Sequence, residues 1–171
     1  MALMVVLSGV QPAYAQSDPR LAELERRFRA GNTAEALVAA QRAVAAAPGD
    51  AGLRFLLAVM LAESGRDAEA IDHFERLSQE FPELPEPFNN LAVLAAARGQ
   101  LDKARLLLEA ALRNDPGYRA AHQNLGDVYL RLAANAYESA AQGPRPDESV
   151  ARKLRLTRQL LDAVTVAPVG R

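Results

Sequence analysis

A fixed step of 34 residues constrains this chain more than any feature of its composition. Pro48, Pro82 and Pro116 stand 34 residues apart, and so do Gly31, Gly65 and Gly99. Proline lacks the amide proton and its ring clashes with the preceding turn, so a helix cannot run on through it. Glycine tolerates the left-handed turn that ends many helices. Two such breaks in every 34 residues describe a helical hairpin, and their constant spacing describes hairpins stacked one on the next. The same offset aligns Ala36, Ala70 and Ala104, each just after a glycine, with Ala58, Ala92 and Gly126 on the preceding helices. Small side chains at both places let two antiparallel helices approach closely. Leu57, Leu91 and Leu125 form one column of larger apolar residues, and Phe74 with Leu108 another.

Composition narrows the kind of core. Half of the 171 residues are hydrophobic, but only 5% are aromatic and none is Trp, so the interior is built from Ala, Leu and Val. The length suits one domain with a real core. A formal net charge of −1 gives no broad basic field, and nucleic acid is not expected as a partner.

The pattern resembles the tetratricopeptide repeat family over roughly Ser17 to Tyr118 as three units, Ser17–Asp50, Ala51–Leu84 and Pro85–Tyr118, with a partial fourth after them. The resemblance implies an all-α fold, a right-handed superhelical stack of antiparallel hairpins. Leu24 stands in the first unit where a small residue is favoured. Arg20, Arg54, Phe88 and His122 fill the column where the family favours Trp. The first hairpin is therefore expected to pack loosely or to form an edge. Helices are predicted near 19–30, 33–47, 51–64, 67–81, 86–98, 101–114 and 119–141, with a last one near 148–165. Asn32 is expected to cap the second helix with Glu35 in capping-box fashion, and Asp50 and Asp67 to cap later ones.

The N-terminus carries an apolar run from Ala2 to Val10 followed by Ala13-Tyr14-Ala15. That is the outline of a secretory leader cut after Ala15, and it predicts a periplasmic or secreted protein. No Lys or Arg precedes Arg20, so the basic start of such a leader is expected upstream of Met1. The run is about half the roughly 20 apolar residues a membrane span needs, and membrane contact is not expected after cleavage. With no Cys in the chain, neither a disulfide framework nor an acylated cysteine anchor is available. The sequence divides into a leader at 1–15, a repeat array at 17–142, a loop at 143–147, a capping helix at 148–165 and a disordered tail at 166–171.

Signals for catalysis are weak. The only histidines, His73 and His122, lie 49 residues apart with no metal-ligand spacing around either. His73 is expected to be solvated and His122 to join a packing layer. There is no phosphate-binding glycine loop and no nucleophile elbow. No catalytic residue, metal site, cofactor or small-molecule substrate is expected.

What the resemblance implies instead is a concave groove, lined by the first helix of each unit, that takes up an extended peptide or helix of another protein. The groove-lining columns fall on Leu21, Phe55, Asn89 and Gln123, then on Ala22, Leu56, Asn90 and Asn124. Two further columns are Glu25, Val59, Val93 and Asp127, and Phe28, Ala62, Ala96 and Leu130. The candidate binding residues are Phe55, Val59, Asn89, Asn90, Gln123, Asn124 and Asp127. Amides suit a peptide backbone because each offers a donor and an acceptor, although Asn in this column also serves internal hydrogen bonding. The family's clamp for a C-terminal carboxylate needs basic residues where this chain has Glu86 and Ala120, so such a clamp is not expected. The function expected is a non-enzymatic adaptor of the bacterial envelope. The alternatives are a self-associating structural protein and an accessory subunit of an envelope enzyme complex.

The fourth unit starts in register at Asn124, Leu125, Gly126 and Tyr129. The offset then calls for a turn glycine at Ala133 and a small residue at Glu138, and neither is there. Either one long helix runs to about Ala141 or the chain tightens at Asn135. After Asp147, Val150, Leu154, Leu161 and Val164 share one helical face with Leu160 beside them, as expected of a lid on the last hairpin.

Overall fold

The computed structural model describes residues 18–142 and 147–166. The leader expected at 1–15, with Ala13 and Ala15, lies outside the described residues, as do positions 143–146 and the tail beyond 166. The described residues form α1 (Pro19–Arg29), α2 (Thr33–Ala46), α3 (Ala51–Glu63), α4 (Asp67–Glu80), α5 (Pro85–Ala97), α6 (Leu101–Asn114), α7 (Arg119–Ala141) and α8 (Glu148–Val166). They are all helical, as expected.

Each break in the 34-residue pattern has a mechanical cause. Gly31, Gly65 and Gly99 sit at φ of 89°, 74° and 74°, a region that costs an L residue about 1–2 kcal/mol and glycine almost nothing. The amide after each glycine reaches back over the turn: Asn32 N to Arg27 O, Arg66 N to Leu61 O and Gln100 N to Ala95 O. These bonds satisfy carbonyls the helix end would otherwise strand. Between hairpins, Pro48, Pro82 and Pro116 each occupy the second place of a tight turn closed by Asp50 N to Ala47 O, Leu84 N to Phe81 O and Tyr118 N to Asp115 O. Proline's fixed φ is preformed for that place.

The two kinds of turn explain where capping occurs. At the start of a unit the residue before the helix is extended, with ψ of 111° at Asp18 and 101° at Asp50, and each carboxylate accepts a first-turn amide. At the start of a second helix the backbone leaves the glycine turn at ψ of 48°, 52° and 62° at Asn32, Arg66 and Gln100, and none of the three makes a side-chain cap. Asn32 holds the N-cap place of α2, but the capping box expected from Asn32 and Glu35 does not form. Asp67 is the first residue of α4 and not its cap.

The first helices of the second and third units form an inner layer. In α3 the residues Gly52 to Phe55 and Leu57 to Ala62 are all buried; in α5 Leu91 to Ala96 are. The outer helices α4 and α6 bury one stripe each: Ala70, Phe74 and Leu77, and Leu101, Ala104, Leu108 and Ala111. Ala36, Ala70 and Ala104 are 0% exposed, so the small-residue columns do let the hairpins close. Phe74, also at 0%, fills the space between α3 and α4; removing its ring costs about 3–5 kcal/mol. Helix α1 buries only Leu21 and Leu24 and is otherwise laced with surface ion pairs from Glu23 to Arg26 and Arg27, which suits an edge.

The fourth unit resolves to one helix. α7 passes Ala133 and Asn135 without a turn and ends at Ala141. Good helix formers at Ala133, Ala134 and Ala136 leave nothing to stop it. Gly126, packed against a second helix in the equivalent places Ala58 and Ala92, has open space around it. α8 then folds back along α7, tied by Arg158 Nη2 to Glu138 Oε1 at 2.7 Å and by Lys153 over the Tyr137 ring. Val150, Leu154 and Leu161 are half-buried, whereas Leu160, expected beside them, is 53% exposed. The Val164 side chain lies outside those described.

Candidate functional site

The inner layer carries the groove columns, and their exposure changes along the stack. In the second unit, Phe55 is 9% exposed and Val59 1%; both lie in the apolar core. The Phe55 ring packs on Phe74 with centroids 5.6 Å apart. Val93 and Ala96 are buried as well. A partner would find little of these side chains to touch. The accessible part of the candidate set lies on α5 and α7: Asn90, Asn124 and Asp127 are half-buried and Gln123 is exposed, while Asn89 is 7% exposed.

Two hydrogen bonds fasten α7 to α5 at a common offset. Asn124 Nδ2 donates to Asn89 Oδ1 at 2.9 Å, and Arg131 Nη1 donates to the Ala96 carbonyl at 3.1 Å; each pair is 35 residues apart. One period plus one residue is thus the step by which successive inner helices meet. Asn90 Nδ2 donates to the Glu86 carbonyl within its own helix at 2.9 Å. Asn89, Asn90 and Asn124 therefore all have internal partners, as a half-buried amide requires.

Glu86 is the departure from that satisfied arrangement. It sits in the first turn of α5, 8% exposed, and its Oε2 is the one buried side-chain polar atom without a hydrogen-bond partner among the described residues. Burial pushes its carboxyl above the ordinary glutamate range; a hydrogen bond from its own backbone N–H offsets part of that rise, and the charge of Asp115 adds to it. Tyr118, closing the same corner, is pushed up by burial and by Glu86 and Asp115. Asp127 is raised by desolvation, which the attraction of Arg131 offsets in part.

Other positions differ from expectation. His122 does not join a packing layer: it is exposed, and its Nε2 donates to the Pro116 carbonyl at 2.9 Å. His73 is half-buried, where a solvated ring is expected; burial, with Arg76 and Arg54 nearby, lowers its pKa. Arg54, in the column where the family favours Trp, is buried and answers its charge with Glu80, Nη2 to Oε1 at 2.8 Å, while its guanidinium lies 5.9 Å from the Phe81 ring centre. Neither this pair nor the Arg131 tie was visible from the repeat pattern. An offset of 35 between an inner-helix amide and its neighbour is the signal that would have found the Asn89–Asn124 bond.

Among the described residues no three His, Cys, Asp or Glu side chains are grouped to hold a metal, and no helix is long and apolar enough to cross a membrane.

Comparison with known proteins agrees with this geometry. Residues 27–94 match the tetratricopeptide repeat family, and so do residues 89–146. TPR repeat-containing thioredoxin TTL4 of Arabidopsis thaliana is 36% identical over 106 residues, which are 60% of this chain and 16% of that protein. The chain thus spans well under two thirds of that relative's length. The second TPR domain of human RPAP3, in complex with the HSP70 peptide SGPTIEEVD, matches with a TM-score of 0.57 at 20% identity, covering 68% of this chain and 95% of that one. TTC0263, a TPR protein of Thermus thermophilus, matches with a TM-score of 0.62 at 21% identity, covering 83% and 81%. At such identities the structural likeness establishes the fold.

Proposed function

Because the chain belongs to the tetratricopeptide repeat family, we propose that it is a protein-interaction module that captures an extended segment of a partner along its inner helices, with no catalysis of its own. The observation that carries this reading is the concentration of accessible polar side chains, Asn90, Gln123, Asn124 and Asp127, on α5 and α7 beside an otherwise apolar inner layer. Half-buried amides and a carboxylate can pair with the backbone of an extended peptide while apolar neighbours exclude water. The peptide-bound RPAP3 domain shows that this architecture can hold a short segment.

The finer reading is an adaptor or assembly factor of the bacterial envelope, periplasmic or secreted. The apolar run Ala2–Val10 and the Ala13-Tyr14-Ala15 site support it. Fractionation of cells expressing the full chain, with N-terminal sequencing of the exported form, tests it; an uncleaved protein retained in the cytoplasm would defeat it.

Partner capture is tested by affinity recovery with Gln123→Ala combined with Asp127→Ala, two accessible positions whose loss leaves the core intact. Phe55→Ala and Asn89→Ala are poor probes, since the first opens a hole against Phe74 and the second orphans Asn124. Unchanged recovery would remove α5 and α7 from the account. A second reading, self-association, is favoured by Leu156 and Leu160, 55% and 53% exposed on α8. Light scattering across a concentration series separates the two, because only the second predicts growth in mass.

A further inference from the structure

We propose that the corner where α6 hands the chain to α7 is a pH-sensitive latch with the sealed Glu86 carboxyl as its trigger: ionisation of Glu86 undocks α7, and α8 with it, from the third unit. Gln123, Asn124 and Asp127 leave with α7, so the open latch takes the groove apart. That last step alone rests on the groove reading above.

Three helix ends meet at this corner. Glu86 stands in the first turn of α5, Asp115 follows the last residue of α6, and Tyr118 precedes the first residue of α7. Asn114 Nδ2 donates to the Pro82 carbonyl at 2.7 Å and so holds the end of α6 on the turn before α5. Gly117 N donates to Asp115 Oδ1 at 2.9 Å and Tyr118 N to Asp115 O at 3.1 Å, which closes the turn into α7. Glu86 and Tyr118 are 8% and 7% exposed, and Tyr118 lies close enough to feel the Glu86 charge. Inside this seal the Glu86 carboxyl takes its own backbone N–H, and its Oε2 is left without a hydrogen-bond partner among the described residues. The charged group that acts on it is Asp115, a second acid. His122, in the first turn of α7, faces the Pro116 carbonyl instead. A neutral carboxylic acid can stay in such a place; a carboxylate with neither a cation nor a further donor is strongly disfavoured there.

The fold decides which element yields. α5 is enclosed, with Leu91 to Ala96 all buried, whereas α7 buries only Ala121, Val128 and Ala134. No second helix completes the unit of α7 among the described residues, and two side-chain hydrogen bonds fasten it to α5, from Asn124 to Asn89 and from Arg131 to the Ala96 carbonyl. The end of a stacked array opens locally at lower cost than its interior. Water reaches Glu86 once Tyr118 moves out, and Tyr118 is continuous with α7. α8 follows, because Arg158 holds Glu138 and Lys153 lies over the Tyr137 ring. Burial holds the folded carboxyl above the ordinary value of 4.5. Between that value and the folded one, opening the corner releases a proton, so the latch is closed in acid and loosens as pH rises.

Hydrogen exchange of the full chain tests the latch without any ligand, read by mass spectrometry on peptides from each helix and corrected for the intrinsic rate at each pH. Parent and Glu86→Gln are compared between about pH 4 and pH 8. The variant is near-isosteric and cannot ionise, and a thermal melt checks that it is folded. Taking the difference between the two cancels the other titrating groups, Glu63, His73, His122 and Asp127 among them. In the parent, the opening constant of α7 and α8 is expected to gain an extra rise of up to about tenfold per pH unit, levelling off above the folded value, while α3 and α4 show no difference. A difference shared equally by α3 and α4 overturns the proposal, and so does a pH dependence of α7 that is the same in both proteins. Neither result bears on partner capture, which Gln123→Ala with Asp127→Ala tests separately.

Discussion

Asn124 Nδ2 donates to Asn89 Oδ1 at 2.9 Å across two helices that the sequence separates by 35 residues. Asn89 is almost fully buried, so the bond both holds α7 to the third unit and spares α5 an unpaired amide. Removing one partner leaves the other's desolvation unanswered, which generally costs more than the bond itself contributes.

Asn124→Ala should therefore lower stability by about 1–3 kcal/mol, read from the midpoint of urea unfolding followed by circular dichroism. The double variant with Asn89→Leu should recover part of that loss, since an apolar pair needs no partner. Strict additivity of the two single effects would argue against a coupled pair.

Glu86 makes stability depend on pH with a definite sign. Its folded carboxyl titrates above the ordinary value of 4.5, so the folded state holds a proton the unfolded chain has released. Its contribution is complete below that value and is lost as pH rises through the folded pKa. Glu86→Gln, permanently neutral, should flatten this part of the curve and raise the urea midpoint near pH 7. Asp127 and Glu63 shift in the same direction, so a residual slope should remain. An unchanged profile would mean that Glu86 is hydrated or paired in solution.

The pair of Arg54 and Glu80 is lopsided, with side chains 11% and 52% exposed. Glu80→Gln should cost little, because the carboxylate is largely in water. Arg54→Ala should cost more, since it also removes the stem packed near Phe81. Equal effects in thermal denaturation would contradict this division.

Glycine placement gives two opposed tests. Gly99→Ala forces a side chain into φ of 74° and should cost about 1–2 kcal/mol. Ala133→Gly, at the position where the period would place the next turn, should cost about 1 kcal/mol, because it weakens a continuous helix. If Ala133→Gly proved neutral, or lowered helix content by a whole hairpin, α7 would not be the single helix described.

The repeat made the architecture legible, and the reasons for its lapses are local. Gly31, Gly65 and Gly99 and the three prolines located every hairpin, since these residues act through backbone geometry that depends on no distant neighbour. Asn32 holds the N-cap place without making the side-chain bond, since the glycine turn sets ψ near 50–60° there, and Asp67 falls one residue inside α4, where Arg66 holds that place. His122 was placed in a packing layer by its column. The second helix that would complete such a layer in the fourth unit does not form among the described residues, and the ring turns back to Pro116. The groove columns were assigned by analogy and say which face a residue occupies, but burial depends on what packs over that face. Phe55 and Val59 consequently proved to be core, and the accessible set shrank toward α7.

The central claim, that a partner lies along the inner helices at the step from α5 to α7, is most directly tested by site-specific photocrosslinking. A benzophenone amino acid at Gln123, exposed on the inner face, is compared with the same group at Leu106, 56% exposed on α6, and at Leu156 on α8. The account predicts a crosslinked partner peptide, identified by mass, from Gln123 and not from the other two. Adducts confined to Leu106 or Leu156 would contradict it.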